Sequence, residues 1–271
     1  MLKSWAEVST YSYNTFELAN MPQLYNEAVQ AMMAAFRRVE AAIPPPKPVA
    51  HGVSFVFRYE NKGIHEALIQ KLARYISGLN AVAVLLRAGY VQEIGVLFRT
   101  LDEIQEDIFF LAVAETNGAR TERHKKFLDA FYGEAVFSRP EGSIEIKKPD
   151  LLPRKKIRAH TMNALGAGID TASAGVASES VSTAYSGYVH AASENVMDMY
   201  GGSPPRFYLA GMSGTPRTEE MYEDADNYIY RGLMATIVVA KAFGDAALVS
   251  QLEDFLAKYE EANGHKSPDR R

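Results

Sequence analysis

VQEIGVLFRTLDEIQEDIFFLAVAE (91–115) is the stretch whose reading decides the fold. Wound at about 100° per residue, Ile94, Leu97, Leu101, Ile104, Ile108, Leu111 and Ala112 fall on one side, and Gln92, Arg99, Glu103 and Glu106 fall opposite. An apolar stripe recurring every three or four residues marks an amphipathic helix, so this segment is expected to seat one side in a helical core.

Working outward, the same spacing begins at Glu60 and runs to about Thr116, with Ala88-Gly89 as the expected break between two helices. Asn20-Met21-Pro22 reads as the opening of an earlier helix, since Asn can cap free amides and Pro is tolerated just inside the start. PPPKP (44–48) ends that helix, and VSFVF (53–57) reads as a short strand or a buried linker. Downstream come a helix over 120–138, a loop RPEGSIEIKKPDLLP (139–153), and a helix from Arg154 that dissolves into GAGIDTASAGVAS (166–178). A helix over 179–200, a second long loop GGSPPRFYLAGMSGTPR (201–217) with a small hairpin, and helices over 218–243 and 245–262 complete the pattern. The expectation is an all-α multi-helix bundle with two long loops (about 139–153 and 200–217) and at most a minor β-hairpin. One domain spans 1–262, and the polar tail NGHKSPDRR (263–271) is expected to be disordered.

Composition narrows the chemistry. A chain of 271 residues with 47% hydrophobic and 23% charged content can bury a sizeable core, and a net charge of -4 gives no global pull toward nucleic acid. The absence of cysteine removes disulfides, thiolate metal sites and cysteine nucleophiles. The first residues lack a secretory apolar run and no stretch approaches a membrane span, so a soluble, cytoplasmic protein is expected. There is no Glu-x-x-His or His-x-x-x-His, so neither metal nor cofactor is expected. GMSGT (211–215) lacks the last glycine of a nucleophile elbow.

Two stretches carry the candidate chemistry. Wound as a helix, YSGYVHAASENVMDMYGG (185–202) and the residues just before it put Val181, Tyr185, Tyr188, Val189, Ala192, Val196 and Met199 on one face. His190 stands near the opposite pole beside Thr183, Ser186, Ser193 and Glu194. Three readings of His190 stay open: a solvent-exposed residue, a structural hydrogen-bonding residue, or an acid or base oriented by Glu194 and covered by the Arg99 and Glu103 face. The third gives a catalytic set of His190, Arg99, Glu103 and Glu194. In KKPDLLPRKKIRAH (147–160), Lys147, Lys148, Arg154, Lys155, Lys156 and Arg158 oppose only Asp150. Such a segment suits RNA or a phosphate-bearing ligand, with Lys155, Lys156, Arg158 and Ser186 as substrate-binding residues; its other reading is a solvated helix start. A homodimer is the general expectation for a bundle with a surplus apolar face.

The pairing of AGYVQEIGVLFRTLDE (88–103) with YSGYVHAASENV (185–196) resembles an uncharacterised family of bacterial helical proteins, in which an Arg-x-x-x-Glu helix is followed by a Ser-x-x-Val-His segment. The matching positions are Arg99, Glu103, Ser186, Val189 and His190. That family in turn resembles the HEPN superfamily, whose nucleases carry an arginine, then four to six intervening residues, then a histidine. Arg154 with His160 and Arg58 with His65 fit that spacing, although Lys155 or Tyr59 follows the arginine where the superfamily carries a polar residue. The resemblance implies a metal-independent ribonuclease of defence or toxin type, with His190 or His160 as general acid or base. The alternative from a different class is a non-catalytic helical module that binds a protein or a small molecule.

Overall fold

Helix α3 (Val91–Thr116) is buried around most of its circumference, which makes it the centre of the fold. The expected stripe is inside: Ile94, Leu101, Ile104, Ile108, Leu111 and Ala112 are buried, and Leu97 packs partly buried against them. Phe98, Asp102, Asp107, Phe110 and Val113 are buried as well, so neighbours must cover the other flanks.

The computed structural model describes residues 23–133, 136–138, 145–147, 150–165 and 183–263. Helix α2 (Ile64–Ala88) runs antiparallel to α3, with Gly78 against Leu101 and Lys71 against Asp107. The break lies where the sequence puts it, because Gly89 closes α2 in the left-handed region (φ 71°), a conformation that costs glycine nothing sterically. Helix α1 (Gln23–Glu40), α8 (Pro216–Ala242) and α9 (Ala246–Ala262) complete the main bundle: α8 packs on α1, α2 and α3, and α9 packs on α1 and α8. Arg38 fixes the α8–α9 corner with two 2.6 Å bonds to Asp245, the residue that caps α9. Helix α4 (Glu122–Tyr132) lies on α2, and α5 (Arg154–Leu165) lies on α3.

The all-α bundle is as expected, and among the described residues its β content is confined to two-stranded antiparallel ribbons. VSFVF contributes to one, pairing β1 (Lys47–His51) with β2 (Ser54–Arg58), but the ribbon is not a buried linker: Val49, Val53, Phe55 and Phe57 are all exposed. A second joins β3 (Val136–Ser138) to β4 (Glu145–Lys147), so the helix expected over 120–138 stops at Tyr132 and the expected loop after it contains a strand. A third, β5 (Tyr200–Gly201) with β6 (Arg206–Phe207), is the small hairpin expected in the second loop. The rest of that loop braces the α2–α3 corner. Met212 donates its N–H to the Gly89 carbonyl at 2.9 Å and Ser213 Oγ donates to the Arg87 carbonyl at 3.0 Å, so GMSGT is a structural clasp. The Asn20-Met21-Pro22 start, the 166–178 tract and the tail beyond Asn263 lie outside the described residues. No helix among the described residues is long and apolar enough to cross a membrane.

The helix expected over 179–200 is corrected. Helical residues 183–189 (α6) end where Ala191 turns into the left-handed region (φ 49°), and a separate short helix α7 (Ser193–Met197) follows. The turn is tight: Ala192 donates to the Gly187 carbonyl at 2.9 Å, and a Cβ on Gly187 would fall 1.9 Å from Asn195 Oδ1. A long-range contact holds it. Tyr188 lies on the bare backbone of Gly95 in α3, and Gln92 Nε2 donates to the Asn195 carbonyl at 2.6 Å. Val181 lies outside the described residues; of the rest of the stripe expected for a continuous helix, Tyr188 alone is buried and Val189 is exposed.

Gly95 is therefore the seat of α6. A Cβ there would stand 2.4 Å from the Tyr188 ring, so Gly95→Ala should lower stability by roughly 1–3 kcal/mol. Urea denaturation followed by circular dichroism measures this, and Tyr188→Ala should remove most of the added cost of the alanine.

Candidate functional site

Four carboxylates lie within six positions of α3, at Asp102, Glu103, Glu106 and Asp107. Five cations from four helices answer them. On one flank Asp107, with 1% of its side chain exposed, takes Lys71 Nζ of α2 at 2.7 Å and Arg154 Nη1 of α5 at 2.5 Å. Arg154 Nη1 also donates to the Glu103 carbonyl at 3.1 Å. On the other flank Asp102 takes Arg231 Nη1 of α8 at 2.6 Å and the Tyr228 hydroxyl at 2.9 Å. Between them Arg158 Nε donates to Glu106 at 2.6 Å, and Arg99 pairs with Glu103 at 2.7 Å.

Burial shapes the charges. It pushes the Asp102 carboxyl above the usual carboxylate range, and the Arg231 guanidinium and the Tyr228 hydroxyl oppose that rise. Burial alone would lower Arg154, but the bond to Asp107 and the nearby Glu103 and Glu106 hold it above its ordinary value.

A cleft of about 400 Å³ opens over the Asp107 flank. Lys71, Glu103, Asp107 and Arg154 form its polar floor; Phe127, Ala130 and Phe131 of α4 form one wall, and Leu152, Pro153 and Ile157 form the other, with Leu151 at the rim. The Lys71 ammonium sits 4.8 Å from the Phe131 ring centre and 5.8 Å from that of Phe127, within cation–π range. Pockets of this kind, mostly apolar with a few convergent charges, are the usual form of a small-molecule site.

The sequence-derived candidates divide differently. Arg99 and Glu103 do meet, as one ion pair, and Glu103 lines the cleft. His190 and Glu194 are both exposed, and among the described residues no hydrogen bond or ion pair reaches either side chain. Ser186 is half-buried and its carbonyl accepts the His190 N–H. Of the basic segment, Lys155 and Lys156 are exposed, but Arg158 turns inward to Glu106 and Arg154 to Asp107. Arg154 and His160 likewise face different neighbours. His160 sits edge-on to Phe110 and to His124, whose Nδ1 accepts the Thr121 N–H and whose Nε2 donates to the Phe110 carbonyl. Arg58 lies on the exposed ribbon, whereas His65 bonds the Ala242 carbonyl. Among the described residues no three side chains converge to hold a metal ion.

Lys71, Asp107, Phe127 and Phe131 are the site residues that the sequence did not single out. A signal existed: four acids in six positions of an amphipathic helix exceed what one wet face requires. No protein-family model, no curated protein and no solved structure matches this chain.

Removing the central carboxylate leaves two cations facing each other, so Asp107→Asn should cost about 3 kcal/mol. Glu103→Gln, at a carboxylate with 39% of its side chain exposed, should cost under about 1 kcal/mol. Paired denaturation curves test the ratio.

Burial and the neighbouring His160 hold His124 below its ordinary value of 6.5, and burial and Arg123 do the same for His160. The unfolded chain then binds protons that the folded chain does not, so stability is complete above about pH 6.5 and falls as pH drops below it. Denaturation midpoints at pH 7.5 and 5.5 should show the decline, and His160→Phe should flatten it.

Proposed function

We propose that the protein is a non-catalytic helical binding module that takes a small organic ligand in the cleft between α2, α3, α4 and α5. The observation that carries this reading is the joining of apolar walls to a polar floor in one cavity of about 400 Å³. Its charged groups are tied to one another in ion pairs, and among the described residues its lining includes no histidine or hydroxyl that would serve as nucleophile or proton shuttle. Phe127, Leu152 and Ile157 are buried by the helices themselves, so the walls are pre-formed. A rigid site loses little ordering entropy when a ligand enters.

The ribonuclease reading draws less support from the same geometry. Of the residues that would bind phosphate, Lys155 and Lys156 are exposed and Ser186 is half-buried, but Arg158 is engaged by Glu106 of α3. Its two candidate histidines lie apart in kind, His190 exposed and His160 packed against aromatic rings.

A thermal-shift screen of fragment-sized compounds against the full chain tests the reading. Binders should raise the melting temperature, and Ala130→Trp, which fills the cleft from α4, should abolish the shift while leaving the circular dichroism spectrum unchanged. Shifts that survive Ala130→Trp would remove the cleft as the site. Cleavage of a mixed RNA pool that is lost in His160→Ala or His190→Ala would restore the ribonuclease.

A further inference from the structure

Resting on the reading of this cleft as a ligand site, we propose that its ligand is a small monocarboxylate with an apolar body, of aryl or branched-alkyl type. The charge balance on α3 is the first ground. Asp102, Glu103, Glu106 and Asp107 stand against Lys71, Arg99, Arg154, Arg158 and Arg231, so the described layer carries one cation in excess. At the cleft floor the excess is local: Asp107 is one carboxylate between two cations. Glu103 and Glu106 do not redress it: the Glu103 carboxylate turns to Arg99 at 2.7 Å and stays 4.0 Å from Arg154, and that of Glu106 turns to Arg158 at 2.6 Å and stays 3.8 Å from Arg154.

Unused donors are the second ground. An ammonium offers three N–H groups, and Lys71 directs one to Asp107 with no other hydrogen bond among the described residues. Arg154 spends Nη1 and Nη2 on Asp107 and the Glu103 carbonyl, while among the described residues its Nε has only the distant Glu103 carboxylate. Both side chains line the cleft and keep partial exposure, 19% for Lys71 and 32% for Arg154. A carboxylate can accept from both at once, and charge-assisted bonds of this kind are the stronger class. A ligand ammonium would meet the same two donors with no lone pair to offer, and would add to the excess positive charge.

The walls define the rest of the ligand. Phe127 and Phe131 on one side and Ile157 on the other offer no hydrogen-bonding side chain, so a polar body would lose its water without replacement. A single negative charge matches a single excess cation; a doubly charged phosphate would reverse the imbalance.

Three probes sharing one ring separate the alternatives: phenylacetate, phenylacetamide and phenethylamine, titrated into the full chain by calorimetry with amide NMR to locate the contact. Phenylacetate should bind about tenfold or more tighter than the amide and the amine, shifting Ala130 and Phe131 amides, and its affinity should fall with added salt. Lys71→Gln should weaken phenylacetate by about tenfold and leave the amide unchanged, whereas Lys71→Arg should retain most of the binding. Amide or amine binding as tight as the acid would overturn the anionic ligand and leave the cleft standing. Inorganic phosphate outcompeting phenylacetate would overturn the apolar body. If no probe of any charge perturbs the cleft amides, both the ligand class and the cleft reading fail.

Discussion

A carboxylate with 1% of its side chain exposed is costly to bury without cations against it, and Asp107 has two. Lys71 reaches it from α2 and Arg154 from α5, so one charge on the central helix sets the register of the helices on either side. Apolar packing alone tolerates sliding, because one methylene surface serves nearly as well as another. A buried charge does not: moving α5 by a turn would take Arg154 from its carboxylate and leave Asp107 with Lys71 alone.

The opposite flank of α3 is held by the same physics with different groups. Asp102 binds Arg231 and Tyr228; the Arg231 guanidinium lies 4.7 Å over the Tyr228 ring, which stacks on Phe98 at 4.1 Å between ring centres. The aromatic column supplies the apolar contact that pure ion pairing lacks. Helix α8 is thereby fixed to α3 by charge and packing together. α5, which packs mainly on α3, relies more heavily on Arg154 and Arg158.

How much of this was legible follows from the range of each interaction. The apolar stripe of α3 and the turn at Gly89 are local, set by side-chain spacing and by one φ angle, and both are present where the sequence puts them. The helix expected over 179–200 failed because its termination depends on Tyr188 meeting Gly95, a contact across more than ninety positions that no local periodicity encodes. Arg99, Glu103 and Glu106 read as a wet face by winding, and Arg154 and Arg158 read as a basic patch by charge. Each is half of one interface, and its meaning appears only when α5 is laid on α3. The arginine and histidine spacing at 154–160 was likewise a local match whose two ends face separate neighbours.

The two flanks also differ in a way that separates a structural ion pair from one that can receive a ligand. Ion pairs withdrawn from water contribute little net stability over well-packed apolar residues, so their presence alone argues for no function. What matters is whether the donors are used. Arg231 gives Nε to Gln105 at 2.6 Å and Nη1 to Asp102, and its face is covered by Tyr228. Lys71 and Arg154 share one carboxylate and keep N–H groups beside a cavity large enough for an organic molecule. A third partner bonded to both would bridge α2 and α5 across α3 and add a contact that the free protein lacks. Binding there would therefore raise the stability of the docked α5, because a ligand held only by the assembled site favours the assembled state.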